Sequence, residues 1–265
     1  MFHLLALHEL QLAVSGLSGT PRILTALDGR PITIITIVGA FVFGISGGLA
    51  AVRSRLDIFG VMVLAATVGL AGGILRDVLL GQRATSLFDW RVISAVVAAG
   101  LVAFIGRDVL SKWRDSMEIF DAVGLSLFCV IGASLALEVH AGPVPAAILG
   151  TVTGVGGGVV RDVVLNRVPA VLREGLYAIP ALVGASIVVI GHELRQDHLW
   201  WYGMAALTCL VIRLIGIHYQ INLPVAALGR RATDPFTTDP SPAAPPTGET
   251  GAAGTGSSGT GPLES

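Results

Sequence analysis

Gly69-Leu70-Ala71-Gly72-Gly73-Ile74-Leu75-Arg76-Asp77-Val78 returns 85 residues later as Gly154-Val155-Gly156-Gly157-Gly158-Val159-Val160-Arg161-Asp162-Val163. Each copy is an apolar run with a glycine cluster that ends on an arginine–aspartate pair. Working outward at the same offset, Phe43 falls on Phe128, Gly47 on Gly132 and Ala51 on Ala136. Between Val38 and Gly81 there are 13 identities in 44 positions without a gap. Composition alone gives roughly four. The chain therefore carries an internal repeat.

The surroundings of the repeat are those of a membrane protein. The chain has 265 residues, 53% hydrophobic and only 13% charged, with a mean hydropathy of +0.76. Soluble domains run at about 25% charged, so these charges cannot cover a globular surface in water. The 34 glycines fit spanning helices, where glycine is commoner than in soluble ones. A net charge of -1 leaves no basic footprint for nucleic acid. Cys129 and Cys209 lie in apolar runs and read as small buried hydrophobes.

A spanning helix needs about 20 mostly apolar residues. Seven segments qualify as expectations: 31–52, 57–81, 91–107, 121–138, 143–166, 176–192 and 199–219. They divide the chain into a first three-helix repeat over 31–110, a second over 117–194 and a seventh helix over 199–220. Residues 1–30 lack the basic start of a signal peptide and read as a short interfacial segment. Residues 230–265, rich in Pro, Gly, Ser and Thr, read as a disordered tail. With the N-terminus outside, nine Lys or Arg fall in inner segments and five in outer ones. That tally favours N-out, C-in. Because each repeat holds an odd number of spans, the second copy enters from the opposite side of the bilayer. This is an inverted-topology repeat, which places the functional path near the midplane on interrupted helices.

The repeat nominates the second and fifth helices for that path. Gly72, Gly73, Gly156, Gly157 and Gly158 weaken their helices by about 1 kcal/mol each relative to Ala. Two readings stand side by side. A bend at the glycines exposes carbonyls, good ligands for monovalent cations along a wet path. Alternatively, the glycines are close-packing surfaces between helices. Arg76 and Arg161 sit at membrane depth, where charges line cavities or pathways, or else snorkel to an interface. Adjacent side chains on a helix do not face each other. Arg76 and Arg161 therefore need other partners. Asp162 and Asp77 across the two helices are one reading, although a crossing at the glycines would offset the groups by about 9 Å, near the limit of Arg reach. Asp121 opens the fourth helix and reads as its cap, or else as a pore acid; Thr36 stands at its place in the first copy. Arg213 reads as a snorkelling residue near the inner end of the seventh helix. His140, His192 and His218 form no metal set, and no nucleophile–base arrangement or phosphate loop appears. Nothing in the sequence argues for an enzyme or a bound cofactor.

The doubled Gly-Gly-x-x-Arg-Asp helix, Arg55-Leu56-Asp57-Ile58-Phe59-Gly60, Phe120-Asp121-Ala122-Val123-Gly124-Leu125, and Asn166-Arg167-Val168-Pro169 after the second pair carry a family resemblance. Over about residues 32–220 the chain resembles the prokaryotic branch of the trimeric intracellular cation (TRIC) channels. The resemblance implies an all-α integral membrane protomer of seven helices with inverted repeats, assembled as a homotrimer in the bacterial inner membrane. It implies one hourglass pore per protomer, lined by kinked second and fifth helices and passing K⁺ or Na⁺. The pore residues it nominates are Gly72, Gly73, Gly157 and Gly158 with Arg76, Asp77, Arg161 and Asp162. The Lys-Glu-Val signature of the animal branch is absent, and Lys112 is the only lysine. Some bacterial relatives carry the label of glycine transporter. A secondary transporter of a small zwitterion such as glycine is thus the alternative, and a purely structural membrane protein the third reading.

Overall fold

Helix ends in this chain are set by short polar and left-handed turns between long apolar runs. The computed structural model describes residues 30–110, 115–173, 176–195 and 198–219. The interfacial segment expected over 1–30, Arg30 apart, and the disordered tail over 230–265 lie outside the described residues. Ten helices occur among the described residues: α1 (Arg30–Arg53), α2 (Ile58–Leu79), α3 (Thr85–Phe88), α4 (Trp90–Ile105), α5 (Arg107–Leu110), α6 (Ser116–Glu138), α7 (Pro143–Val164), α8 (Ala170–Arg173), α9 (Ala178–Glu193) and α10 (Leu199–Tyr219). Five of them, α1, α2, α6, α7 and α10, are long and apolar enough to cross a bilayer. α4 and α9 are apolar but have 16 residues each.

Local chemistry explains the boundaries. Asp57 caps α2, its Oδ1 accepting the Gly60 amide at 2.8 Å. Replacing it with alanine is expected to cost about 1 kcal/mol, read as a lower midpoint of thermal unfolding in detergent. Pro143 opens α7, where its missing amide proton has no helical partner to lose. The long helices of the two copies close alike. After α1 the Leu56 amide reaches Ala51 O and the Arg55 amide reaches Val52 O; after α6 the Ala141 amide reaches Ala136 O and the His140 amide reaches Leu137 O. Arg55 and His140 both turn left-handed, at φ 58° and 57°. After α2 and α7 the left-handed positions are Gly81 and Asn166, residue types that tolerate that region. All four turns keep the 85-residue offset.

α1 packs against α2, α4 and α6, and α6 against α7, α9 and α10; α2 lies on α7. α1 and α6 are therefore central. Phe43 of α1 and Phe128 of α6 stack with centroids 5.3 Å apart. Each ring also covers a glycine of the other helix, Phe43 on Gly124 and Phe128 on Gly39. Around this core the helices turn apolar side chains outward: Phe59, Trp90, Ile105 and Trp200 are more than half exposed. In water such a surface would be a large sticky patch; in lipid it is the solvent-matched face. The chain is an all-helical membrane protein.

One boundary differs from expectation. α6 begins at Ser116, five residues before Asp121. The charge of Asp121 suggested a helix start, but that charge is neutralised inside the protein.

Candidate functional site

α2 and α7 cross at their glycine clusters, and both remain helical throughout. The expected interruption is absent. A Cβ on Gly72 would run into the Thr153 carbonyl oxygen, and one on Gly156 would lie 3.3 Å from Gly72 Cα. One on Gly157 would stand 3.0 Å from Val68 O. These glycines bring two backbones into contact, as small residues do between membrane helices. Gly73 and Gly158 do a different job. Gly73 leaves room for the Ser86 hydroxyl, and Gly158 for the Tyr177 hydroxyl beside Asp121 Oδ1. Each clears space for a polar group arriving from beyond the end of its own helix.

Arg76 and Arg161 pair with their own chain neighbours, and the cross-pairing between the two helices does not form. Arg76 donates from Nε to Asp77 Oδ1 at 2.7 Å and from Nη2 to the same oxygen at 2.6 Å. Arg161 donates from Nε to Asp162 Oδ1 at 3.0 Å. Neighbours on a helix meet here because each pair occupies the last turn. There the long arginine folds back on the next residue rather than running up the helix face. Arg76 and Arg161 are 3% and 4% exposed, so neither snorkels.

The other oxygen of each aspartate has a second duty. Asp77 Oδ2 accepts the Thr85 amide at 2.8 Å and the Thr85 hydroxyl at 2.9 Å. Asp162 Oδ2 accepts the Ala170 amide at 2.8 Å. Both partners lie eight residues on, at the start of the one-turn helices α3 and α8. Each carboxylate thus satisfies an orphan amide at a helix start and ties a long helix to the loop behind it.

The two ends then diverge. Arg161 Nη1 also reaches Asp121 Oδ1 at 2.6 Å and Ser46 Oγ at 2.9 Å. Asp121 is 1% exposed in the second turn of α6 and caps nothing; Asp115 holds the cap position. Thr36, its counterpart by offset, turns its hydroxyl back to Ile32 O at 2.8 Å. Arg213 is also buried, contrary to the snorkelling expectation. Its Nη1 donates to Leu176 O at 3.1 Å, and its guanidinium lies 4.4 Å from the centroid of the Tyr177 ring. A cavity of about 180 Å³ opens here, lined by Glu118, Asp121, Arg161, Asp162, Arg167 and Arg213 among others. Sequence reasoning missed Ser46 and Tyr177. Ser46 is hidden in a run of small residues, and Tyr177 is a lone aromatic before a helix, so neither carries a signal. No cluster of His, Cys, Asp or Glu fit to hold a metal occurs among the described residues.

This arrangement has known relatives. A family model described as "Glycine transporter" matches the chain twice, over residues 33–108 and 118–193. A UPF0126 membrane protein of Streptomyces coelicolor is 44% identical over 199 residues, spanning 74% of this chain and 91% of that protein. The UPF0126 inner membrane protein YadS of Escherichia coli is 35% identical, spanning 73% and 95%. Among solved structures, the TRIC trimeric intracellular cation channel orthologue from Rhodobacter sphaeroides is similar at a TM-score of 0.68. It is 29% identical, covering 72% of this chain and 98% of that one. On its doubled family match and its likeness to these proteins along nearly their whole length, the chain belongs to the UPF0126 family of bacterial membrane proteins, the family of the prokaryotic TRIC channels.

Proposed function

We propose that the chain is a monovalent cation channel of the bacterial inner membrane, a homotrimer with one K⁺-conducting path in each protomer. The observation that carries this reading is the pair of buried Arg–Asp units at the ends of two glycine-crossed helices, in a chain similar to a cation channel along its described length. In this reading α4 and α9 join the five long helices to make seven spans. At 1.5 Å per residue their 16 residues reach about 24 Å, and the one-turn helices before them extend the crossing. Residues 31–110 and 117–194 form inverted repeats, with the N-terminus outside and the C-terminus in the cytoplasm.

The path runs along the α2–α7 contact, past Gly72, Gly73, Gly156, Gly157 and Gly158. Arg76 and Asp77 stand at one end, and Arg161, Asp162 and Asp121 at the other. With the glycine backbones in contact this path is closed, and conduction requires the crossing to loosen or bend there. The permeant ion is K⁺ or Na⁺, and no cofactor is needed. A second reading, a secondary transporter of a small zwitterion, is favoured by the description of the family model that matches.

Planar-bilayer recording of the purified protein in asymmetric KCl separates the two. Unitary currents that reverse near the K⁺ equilibrium potential are expected. Electrical silence with verified incorporation, together with saturable uptake of labelled glycine into proteoliposomes, would replace the channel by the transporter.

A further inference from the structure

Among the described residues the buried charged side chains are Arg76, Asp77, Asp121, Arg161, Asp162 and Arg213. They are shared unequally between the two copies of the repeat. The first copy holds one base and one acid, Arg76 and Asp77. The second holds one base and two acids, because Asp121 stands where the first has Thr36. The missing positive charge comes from outside the repeat. Arg213 of α10 is 3% exposed and lines the same cavity as Asp121, Arg161 and Asp162. Asp121, Arg161 and Arg213 all act electrostatically on the Tyr177 hydroxyl. Arg213 is held there by the Tyr177 ring and by Leu176 O.

We propose that Arg213 is the counter-charge of Asp121, and that the seventh helix thereby sets the electrostatic character of this end of the ion path. With Arg213 in place the buried set is neutral. Without it the buried set carries one net negative charge behind low-dielectric walls, an arrangement that concentrates cations, while Arg167 and Arg173 of the cavity lining are exposed to solvent. Arg213 is then a specificity-determining residue supplied by the one long helix that has no partner in the repeat. This inference rests on the channel reading, and its test includes a readout that does not.

Unitary K⁺ currents entering from the cavity side are compared at low KCl in the unaltered protein, Arg213→Gln, Arg213→Lys and the double variant Asp121→Asn/Arg213→Gln. Arg213→Gln is expected to raise the low-salt current by about tenfold, the lower end of the range for clefts lined by one sign of charge. The gain should fade near 1 M KCl, where the Debye length is about 3 Å. Arg213→Lys should return to the unaltered behaviour, and the double variant should lose the low-salt gain seen in Arg213→Gln. The second readout is the yield and thermal midpoint of folded protein in detergent. If Arg213→Gln fails to fold, recovery in the double variant supports the pairing. Loss of folding rescued by Glu118→Gln instead, or by neither change, overturns it, as does a low-salt current unmoved by Arg213→Gln. Silence of the unaltered protein defeats the channel reading, and the folding rescue still decides the charge pairing.

Discussion

Arg161→Met is expected to lose about 3–5 kcal/mol of stability, the cost of stranding buried charge, and to leave little folded protein in detergent. Three groups converge on Arg161. Asp121 Oδ1, Asp162 Oδ1 and Ser46 Oγ all take a hydrogen from it, at 2.6, 3.0 and 2.9 Å. Removing it leaves two acids in a buried site with a single buried base beside them, Arg213. Arg76→Met should cost less. Asp77 keeps the amide and hydroxyl of Thr85 when its arginine is gone, and no second acid depends on Arg76 for a hydrogen bond among the described residues. The measurement is the thermal midpoint of each purified variant, with Asp121→Asn added to the Arg161 variant as a partial rescue. Equal losses at the two arginines would show that the hydrogen-bond partners do not decide the cost.

Gly72→Ala is the second large effect. The new methyl would run into the Thr153 carbonyl oxygen, and a backbone atom cannot swing aside as a side-chain tip can. The loss expected is at the upper end of the overpacking range, about 3 kcal/mol, seen as a drop in thermal midpoint. Gly203→Ala is the matched control. It lies in α10 with nothing within 4 Å of the added carbon, and its midpoint should stay level or rise slightly. A Gly72→Ala protein as stable as the Gly203→Ala protein would mean that the α2–α7 contact is loose enough to admit a methyl group.

Much of the fold was legible because a bilayer simplifies the problem. Apolar length alone located α1, α2, α7 and α10 to within about two residues at each end. The repeat offset, read from glycines and Arg–Asp pairs, reappears in the backbone turns at Arg55 and His140 and at Gly81 and Asn166. What escaped was pairing. The rule that adjacent helical residues face apart holds in mid-helix and fails in the last turn, where Arg76 and Arg161 fold onto their neighbours. Asp121 was misread because a charge in an apolar run looks like a boundary unless its partner is visible, and Arg161 lies 40 residues away. Tyr177 and Ser46 were beyond reach for the same reason. Polar side chains matter inside a membrane through contacts between helices, and one helix does not announce them.

The stacked rings at the centre carry a consequence about history. Phe43 covers Gly124 and Phe128 covers Gly39, so each copy offers a ring and receives one. A contact exchanged in this way needs only one kind of half to satisfy both sides, which is the condition for a self-complementary pair. In the inverted arrangement proposed above, two separate copies of a single half would meet the same ring-on-glycine geometry. Fusion into one chain frees each half to drift alone. The acid at Asp121, opposite a threonine at Thr36, is a difference that no pair of identical halves can hold.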